Sequence, residues 1–178
     1  MATTKWAGDP SHSEIGFKVK HLMFTNVSGK FNKFDISAES GGDNFEDASI
    51  SFSAEAGSVD TGNEQRDQHL KSPDFFDAEK YPTLSFKSTG YKKLDDDGNY
   101  ELQGDLTLHG VTKPVKLAVE YGGLAKDPWG NVKAGFTISG KINRKDWGLN
   151  WNAALETGGV LVSEDVRINA EVQLVKQA

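Results

Sequence analysis

The stretch 100-YELQGDLTL-108 alternates between apolar and polar residues along its whole length. A period of two residues is the pattern of a β-strand with one buried face and one face in water. A helix would instead repeat its apolar residues every three or four positions. The stretch therefore predicts a strand whose apolar face consists of Tyr100, Leu102, Gly104, Leu106 and Leu108.

Seven further strands are predicted along the chain. One lies near Leu84 and Phe86, and another covers 27–36, where the alternation slips between Phe31 and Phe34 and so indicates a bulge or a bend. Turn sequences rich in glycine and aspartate separate the strands. The other five strands cover 12–21, 48–56, 115–121, 134–142 and 166–174.

Eight strands with almost no helix to cover them must form either a sandwich or a closed barrel. Small residues on the apolar faces favour a barrel with room inside, because an eight-stranded barrel is just wide enough to hold one small ligand. On the residues alone, a filled sandwich stays open beside it. The small residues are Ala48, Ala54, Ala56, Gly104, Ala134, Gly140 and Ala170.

One short helix is predicted over about residues 63–71, with Thr61 or Asn63 as its N-cap. It ends there because Ser72 precedes a proline and is biased away from helical geometry. The helix is polar nearly all round, so it fits best as a cover over one end of the barrel. Phe75 and Phe76, just after it, are expected to turn into the mouth.

Composition excludes several classes of protein. A net charge of −6 without a basic run is typical neither of nucleic-acid binding nor of binding to an anionic membrane surface. There are no cysteines for disulfides or thiolate sites, and no apolar run approaches the roughly 20 residues of a spanning helix, so stable membrane insertion is not expected. No secretory signal is visible at the N-terminus, which favours a cytoplasmic location; removal of a leader would make it periplasmic.

The sequence predicts a protein that is not an enzyme and holds no metal or cofactor. Its four histidines lack metal-ligand spacing, and nucleophile or phosphate-loop motifs are absent. His21 or His69 as an acid/base on an apolar ligand stays open as an alternative, as does a scaffold with a filled interior. The charges of the helix are interpreted as a capping network in which Arg66 pairs with Asp67 or Asp74.

The segment 143-NRKDWGLNW-151 follows a strong strand and carries two tryptophans. Trp147 and Trp151 are four residues apart and share a strand parity, so both are candidates to line or close the cavity. The alternative is a bulky plug with a tie between Arg144 and Asp146 across the turn.

Four segments together carry a family resemblance, and they span nearly the whole chain: 9-DPSHSEIGFKVKHLMFTNVSGKF-31, 66-RDQHLKSPDFFDAEKYPTLSF-86, 104-GDLTLHGVTKPV-115 and 140-GKINRKDWGLNW-151. They resemble the YceI-like family of lipocalin-like, polyisoprenoid-binding proteins. The resemblance implies one domain over residues 1–178, with an all-β fold: an eight-stranded antiparallel lipocalin-like barrel around an apolar cavity. It also implies an isoprenoid or similar amphiphile inside.

We therefore expect a carrier or storage protein that sequesters a polyisoprenoid, an isoprenoid quinone or its precursor, or a similar lipid; a homodimer is compatible with this. Mouth contacts are predicted for His21, Phe75, Phe76 and Trp147. The predicted cavity lining is Ile15, Phe17, Val19, Phe31, Phe52, Phe86, Leu106, Phe136 and Ile138.

Overall fold

A computed structural model of the chain describes residues 3–22, 25–41, 45, 48–152 and 162–177. Within these residues, eleven strands form one antiparallel sheet. The strands are β1 (Thr4–Gly8), β2 (Glu14–His21), β3 (Thr25–Phe31), β4 (Phe34–Ser40), β5 (Ser49–Glu55), β6 (Val59–Asp60), β7 (Thr83–Lys93), β8 (Asn99–Leu108), β9 (Val111–Lys126), β10 (Val132–Asn143) and β11 (Val162–Lys176).

The sheet closes into a barrel of eight strands in the order β1-β4-β5-β7-β8-β9-β10-β11, because β11 pairs again with β1. The long β11 pairs with β1 near its end, where Gly8 opposes Leu174, and with β2 further back, where Ile15 opposes Ala170. Strands β2, β3 and β6 follow β11 in the sheet order, so β11 pairs with both β1 and β2 along the same edge. The predicted eight-stranded antiparallel barrel is confirmed, although β1 was not predicted.

The predicted slip between Phe31 and Phe34 is a bend that separates β3 from β4. The two amides inside the bend donate to Ser58 rather than to a neighbouring strand: Asn32 N lies 3.1 Å from the Ser58 carbonyl oxygen, and Lys33 N lies 3.1 Å from Ser58 Oγ. The chain can therefore change direction while both of these amides keep a hydrogen-bond partner.

Helix α1 (Glu64–Lys71) lies where the sequence predicts it. Asn63 is the N-cap, and its side chain accepts a hydrogen bond from the Arg66 amide at 3.0 Å. Acidic Glu64 and Asp67 in the first turn stabilise the positive end of the helix dipole. Among the described residues, no helix is long and apolar enough to cross a membrane.

Candidate ligand-binding cavity

The barrel encloses a cavity of about 370 Å³ whose lining is almost entirely apolar. Its lining side chains extend from α1 at one end to Phe45 and Tyr91 at the other. We call the first the helix end; it comprises α1, the segment 72–77 and the 3-10 helix Arg144–Trp147. We call the second the aromatic end; its side chains are Trp6, Phe45, Tyr91, Tyr100, Tyr121 and Phe136.

All nine side chains predicted as cavity lining face the cavity. They come from alternate positions of six strands, so the period of two that predicted them also places them. Contact of these side chains with a ligand stays a prediction. The nine are Ile15, Phe17, Val19, Phe31, Phe52, Phe86, Leu106, Phe136 and Ile138. An interior of this kind does not match the filled core expected of a scaffold protein.

Three of the four predicted mouth residues, His21, Phe75 and Phe76, line the cavity at the helix end. Trp147 does not: it is buried in the wall, and its Nε1 donates to the Leu106 carbonyl oxygen at 3.0 Å. Trp151 faces the cavity instead.

The strand parity assigned to the two tryptophans was wrong because the chain between them is not a strand. Residues Arg144–Trp147 form a 3-10 helix, and Gly148, at φ +81°, turns the chain in the left-handed region. Side-chain direction therefore does not follow a period of two here, so the Trp147 ring lies in the wall while Trp151 lines the cavity.

Arg144 is buried in the helix end, and it lines the cavity. Its guanidinium donates to three backbone carbonyl oxygens: Leu149 at 2.7 Å, Ser163 at 2.9 Å and Val162 at 3.4 Å. Desolvation lowers the pKa of Arg144, and the charge of Glu164 opposes this. The predicted tie to Asp146 was wrong, because the guanidinium instead joins the 3-10 helix to the start of β11.

Arg66 also lines the cavity at the helix end. Its Nε donates to Thr61 Oγ1 at 2.8 Å and its Nη2 to the Thr61 carbonyl oxygen at 2.7 Å. Thr61 Oγ1 in turn donates to Asp67 at 2.6 Å. The predicted direct pairing of Arg66 with Asp67 or Asp74 is thus replaced by contacts to Thr61, although the capping role of the network holds.

Of the four histidines, His21 and His69 line the cavity. His69 Nε2 lies 3.0 Å from Asp74 Oδ2, and its ring meets the Trp151 ring edge-on at a centroid distance of 4.7 Å. His109 is a turn residue at φ +55°. His12 pairs with Asp9 outside the cavity lining.

The rings of the aromatic end form a continuous network of ring contacts. Tyr91 and Tyr100 lie parallel at a centroid distance of 4.6 Å, and Tyr121 stacks on Phe136 at 5.1 Å. Phe45 meets Phe136 edge-on at 5.1 Å. Burial raises the pKa of Tyr91, so its phenol keeps its proton at any physiological pH.

Sequence reasoning missed Tyr91 as a cavity residue. The sequence predicted this strand only near Leu84 and Phe86, whereas β7 runs on to Lys93. A register shift between Ser88 and Gly90 breaks the alternation before Tyr91. The signal that could have found Tyr91 was its position shortly before the turn 95-DDDGN-99, with a second tyrosine, Tyr100, directly after that turn.

Most of the small residues on the apolar faces do not line the cavity themselves. Of the seven that suggested a hollow interior, only Ala170 lines it. No group of three or more metal-ligating side chains occurs in the described part of the chain.

The sequence pattern of the YceI-like domain matches residues 6–174. The chain belongs to the YceI-like family. A UPF0312 protein of Staphylococcus aureus (strain N315) is 36% identical over 171 residues, which is 96% of each chain. This confirms the family resemblance read from the four sequence segments.

Two solved structures show the YceI-like barrel. The YCEI protein of Campylobacter jejuni is 34% identical, with a TM-score of 0.77 over 96% of both chains. A polyisoprenoid binding domain from Saccharophagus degradans is 14% identical, with a TM-score of 0.72 over 97% of this chain and 98% of that chain, and shows the shared fold.

Proposed function

We propose that this protein binds and sequesters a long-chain apolar ligand as a carrier or storage protein. The ligand would be a polyisoprenoid, an isoprenoid quinone or its precursor, or a similar amphiphilic lipid. The observation that carries the proposal is the apolar cavity of about 370 Å³ that runs between the two ends of the barrel. Apolar space of this size inside a small domain is costly unless a ligand uses it.

Burial of the ligand's hydrocarbon chain would supply most of the binding affinity. Each buried CH₂ contributes about 0.8 kcal/mol, so a ten-carbon segment contributes about 8 kcal/mol before the cost of association. The description of the Saccharophagus degradans relative as polyisoprenoid binding supports the isoprenoid class for this chain.

Native mass spectrometry tests the proposal. Purified protein is weighed intact, extracted with organic solvent, and then offered a prenyl lipid. We expect a stoichiometric complex, either from the purified protein or after addition. Absence of a complex in both conditions would overturn the carrier function.

A matched pair of variants locates the ligand. Ile138 lines the cavity, whereas its neighbour Ser139 lies on the outer face of the same strand. Ile138→Trp should fill the lumen and abolish the complex, while Ser139→Trp should leave it intact. Equal binding by both variants would place the ligand outside the barrel.

His69 supports a second candidate function, an enzyme acting on an apolar ligand. It opens onto the cavity and has an oriented carboxylate partner in Asp74, which is the geometry that a general acid/base needs. Mass spectrometry of the ligand after incubation tests this: a change in ligand mass that is lost in His69→Gln would favour the enzyme. A ligand recovered unchanged would favour the carrier.

A further inference from the structure

The Tyr91 hydroxyl stands apart from the other buried polar groups. Among the described residues it is the one buried side-chain oxygen or nitrogen without a hydrogen-bond partner. Buried hydroxyls in folded proteins nearly always have a partner, because an unpaired one loses its hydration without compensation. The Tyr91 ring also lines the cavity, so a partner can come from the lumen.

The polar side chains at the helix end contrast with Tyr91. Arg66 donates to Thr61, Arg144 donates to three carbonyls, and His69 pairs with Asp74. These groups are satisfied by the protein itself. The buried group that lacks a hydrogen-bond partner, the Tyr91 hydroxyl, therefore lies at the aromatic end of the cavity.

A single water is a poor partner for this hydroxyl. A buried water needs two to four polar contacts, whereas the side chains that line the cavity towards the aromatic end are mainly apolar, among them Ile36, Phe45, Ile50 and Leu102, and neither Tyr100 nor Tyr121 is part of the lining. A charged ligand group is worse still, because this apolar surrounding would not offset its lost hydration. The surroundings favour a neutral oxygen attached to an apolar body.

We propose that the Tyr91 hydroxyl donates a hydrogen bond to a carbonyl oxygen of the bound ligand. The ligand is then a neutral amphiphile, such as a prenylated quinone, ketone or amide, with its oxygen-bearing end at the aromatic end and its chain towards α1. This rests on the proposed function. The parallel stack of Tyr91 on Tyr100 supports one side of the ring.

The test compares two probes and two variants. The probes are a prenyl methyl ketone and the prenyl hydrocarbon of the same length, and dissociation constants are measured for wild type, Tyr91→Phe and Tyr100→Phe. We expect Tyr91→Phe to weaken ketone binding about tenfold and to leave hydrocarbon binding unchanged or tighter. Tyr100→Phe is the control: it keeps the ring that stacks on Tyr91 and removes only the hydroxyl of a residue that does not line the cavity, so both affinities should stay unchanged.

Thermal unfolding of the variants without added probe completes the test. Tyr91→Phe should unfold at the same or a higher temperature than wild type, because it removes an unpaired hydroxyl. A clear drop in its unfolding temperature would show that the hydroxyl already has a partner, a bound water included, and would overturn the inference.

The outcomes separate the two proposals. If wild type binds both probes and Tyr91→Phe binds the ketone equally well, the inference is overturned and the carrier function stands. If wild type binds neither probe, the carrier function fails and the inference fails with it.

Discussion

The Phe86 side chain occupies the space above Gly104 on the neighbouring strand, where a Cβ atom on Gly104 would come within 2.7 Å of Phe86 Cε2. Gly140 is covered in the same way by Leu117, whose Cδ2 would lie 2.5 Å from an added Cβ. Small inward residues therefore house the side chains of neighbouring strands. Because those side chains lie against the wall, the lumen stays open.

Replacement of Gly104 by alanine should force the Phe86 ring away from the wall and also displace the backbone of β7, because the added Cβ would lie 2.5 Å from the Lys87 carbonyl oxygen. Overpacking of this kind costs about 1–3 kcal/mol, so the free energy of unfolding should fall by that amount in urea titrations. Ligand capacity should fall as well, because the displaced ring enters the lumen.

Gly90→Ala is the matched control for Gly104→Ala. Gly90 lies in β7, and an added Cβ would meet nothing within 4 Å. We expect it to be neutral or slightly stabilising. Equal destabilisation by both substitutions would show that backbone freedom, and not the Phe86 contact, is what Gly104 provides.

Arg144→Met should destabilise the barrel strongly. The substitution removes a buried cation that serves three carbonyls, and hydrogen bonds to charged groups are worth about 1.5–3 kcal/mol each, so we expect a loss of at least 2 kcal/mol in the free energy of unfolding. Arg144→Lys should not restore it, because one ammonium cannot reproduce the guanidinium fork. Lys141→Met, at an exposed site on β10, should change stability little; a similar loss there would contradict this account.

The two tryptophans should separate stability from binding. Trp147→Phe leaves the Leu106 carbonyl oxygen without its indole donor and should cost about 1–3 kcal/mol in stability, with ligand affinity unchanged. Trp151→Ala should instead weaken ligand binding, because Trp151 lines the cavity beside His69 and Phe75. Parallel denaturation and binding titrations check both, and a binding defect in folded Trp147→Phe would return Trp147 to the ligand site.

Asp9 should make the barrel sensitive to acid. Hydrogen bonds from His12, Ser11 and Lys133 hold the pKa of Asp9 well below its usual value. A carboxylate with a depressed folded-state pKa stabilises the fold above its unfolded pKa, near 3.9, and this contribution is lost as pH falls through the folded-state value. The stability of wild type should therefore fall below about pH 4, and Asp9→Asn should show a shallower fall.

Glu79→Gln, at an exposed position, is the control for Asp9→Asn. It should keep the wild-type dependence of unfolding free energy on pH between about 5 and 2. Identical pH profiles for wild type and Asp9→Asn would show that Asp9 contributes nothing to acid sensitivity.

Much of the fold, and the nine side chains named for the cavity lining, could be predicted from the sequence. Ile15, Phe17 and Val19 needed only the alternation of β2 to be placed inside, whichever strands lay beside it. The helix was equally local, since Asn63 caps it and Pro73 follows its end. Strand parity and capping act over a few residues, so a single sequence displays them.

Other features depended on residues that the chain brings together over long distances. Trp147 was misplaced because a 3-10 helix and Gly148 interrupt the period of two. Arg144 donates to the carbonyl oxygens of Ser163 and Val162 rather than pairing with its sequence neighbour Asp146. Those carbonyls lie at the start of β11 and reach Arg144 only in the folded chain.

The sequence by itself determined an all-β chain with one apolar face on each strand, because side-chain alternation is a property of the extended backbone. Only the tertiary structure decided what fills the space inside. Cross-strand register sets the Phe86 ring over Gly104 and leaves the Tyr91 hydroxyl buried without a partner. Such contacts join residues on different strands, and alternation within one strand does not specify its register against the next.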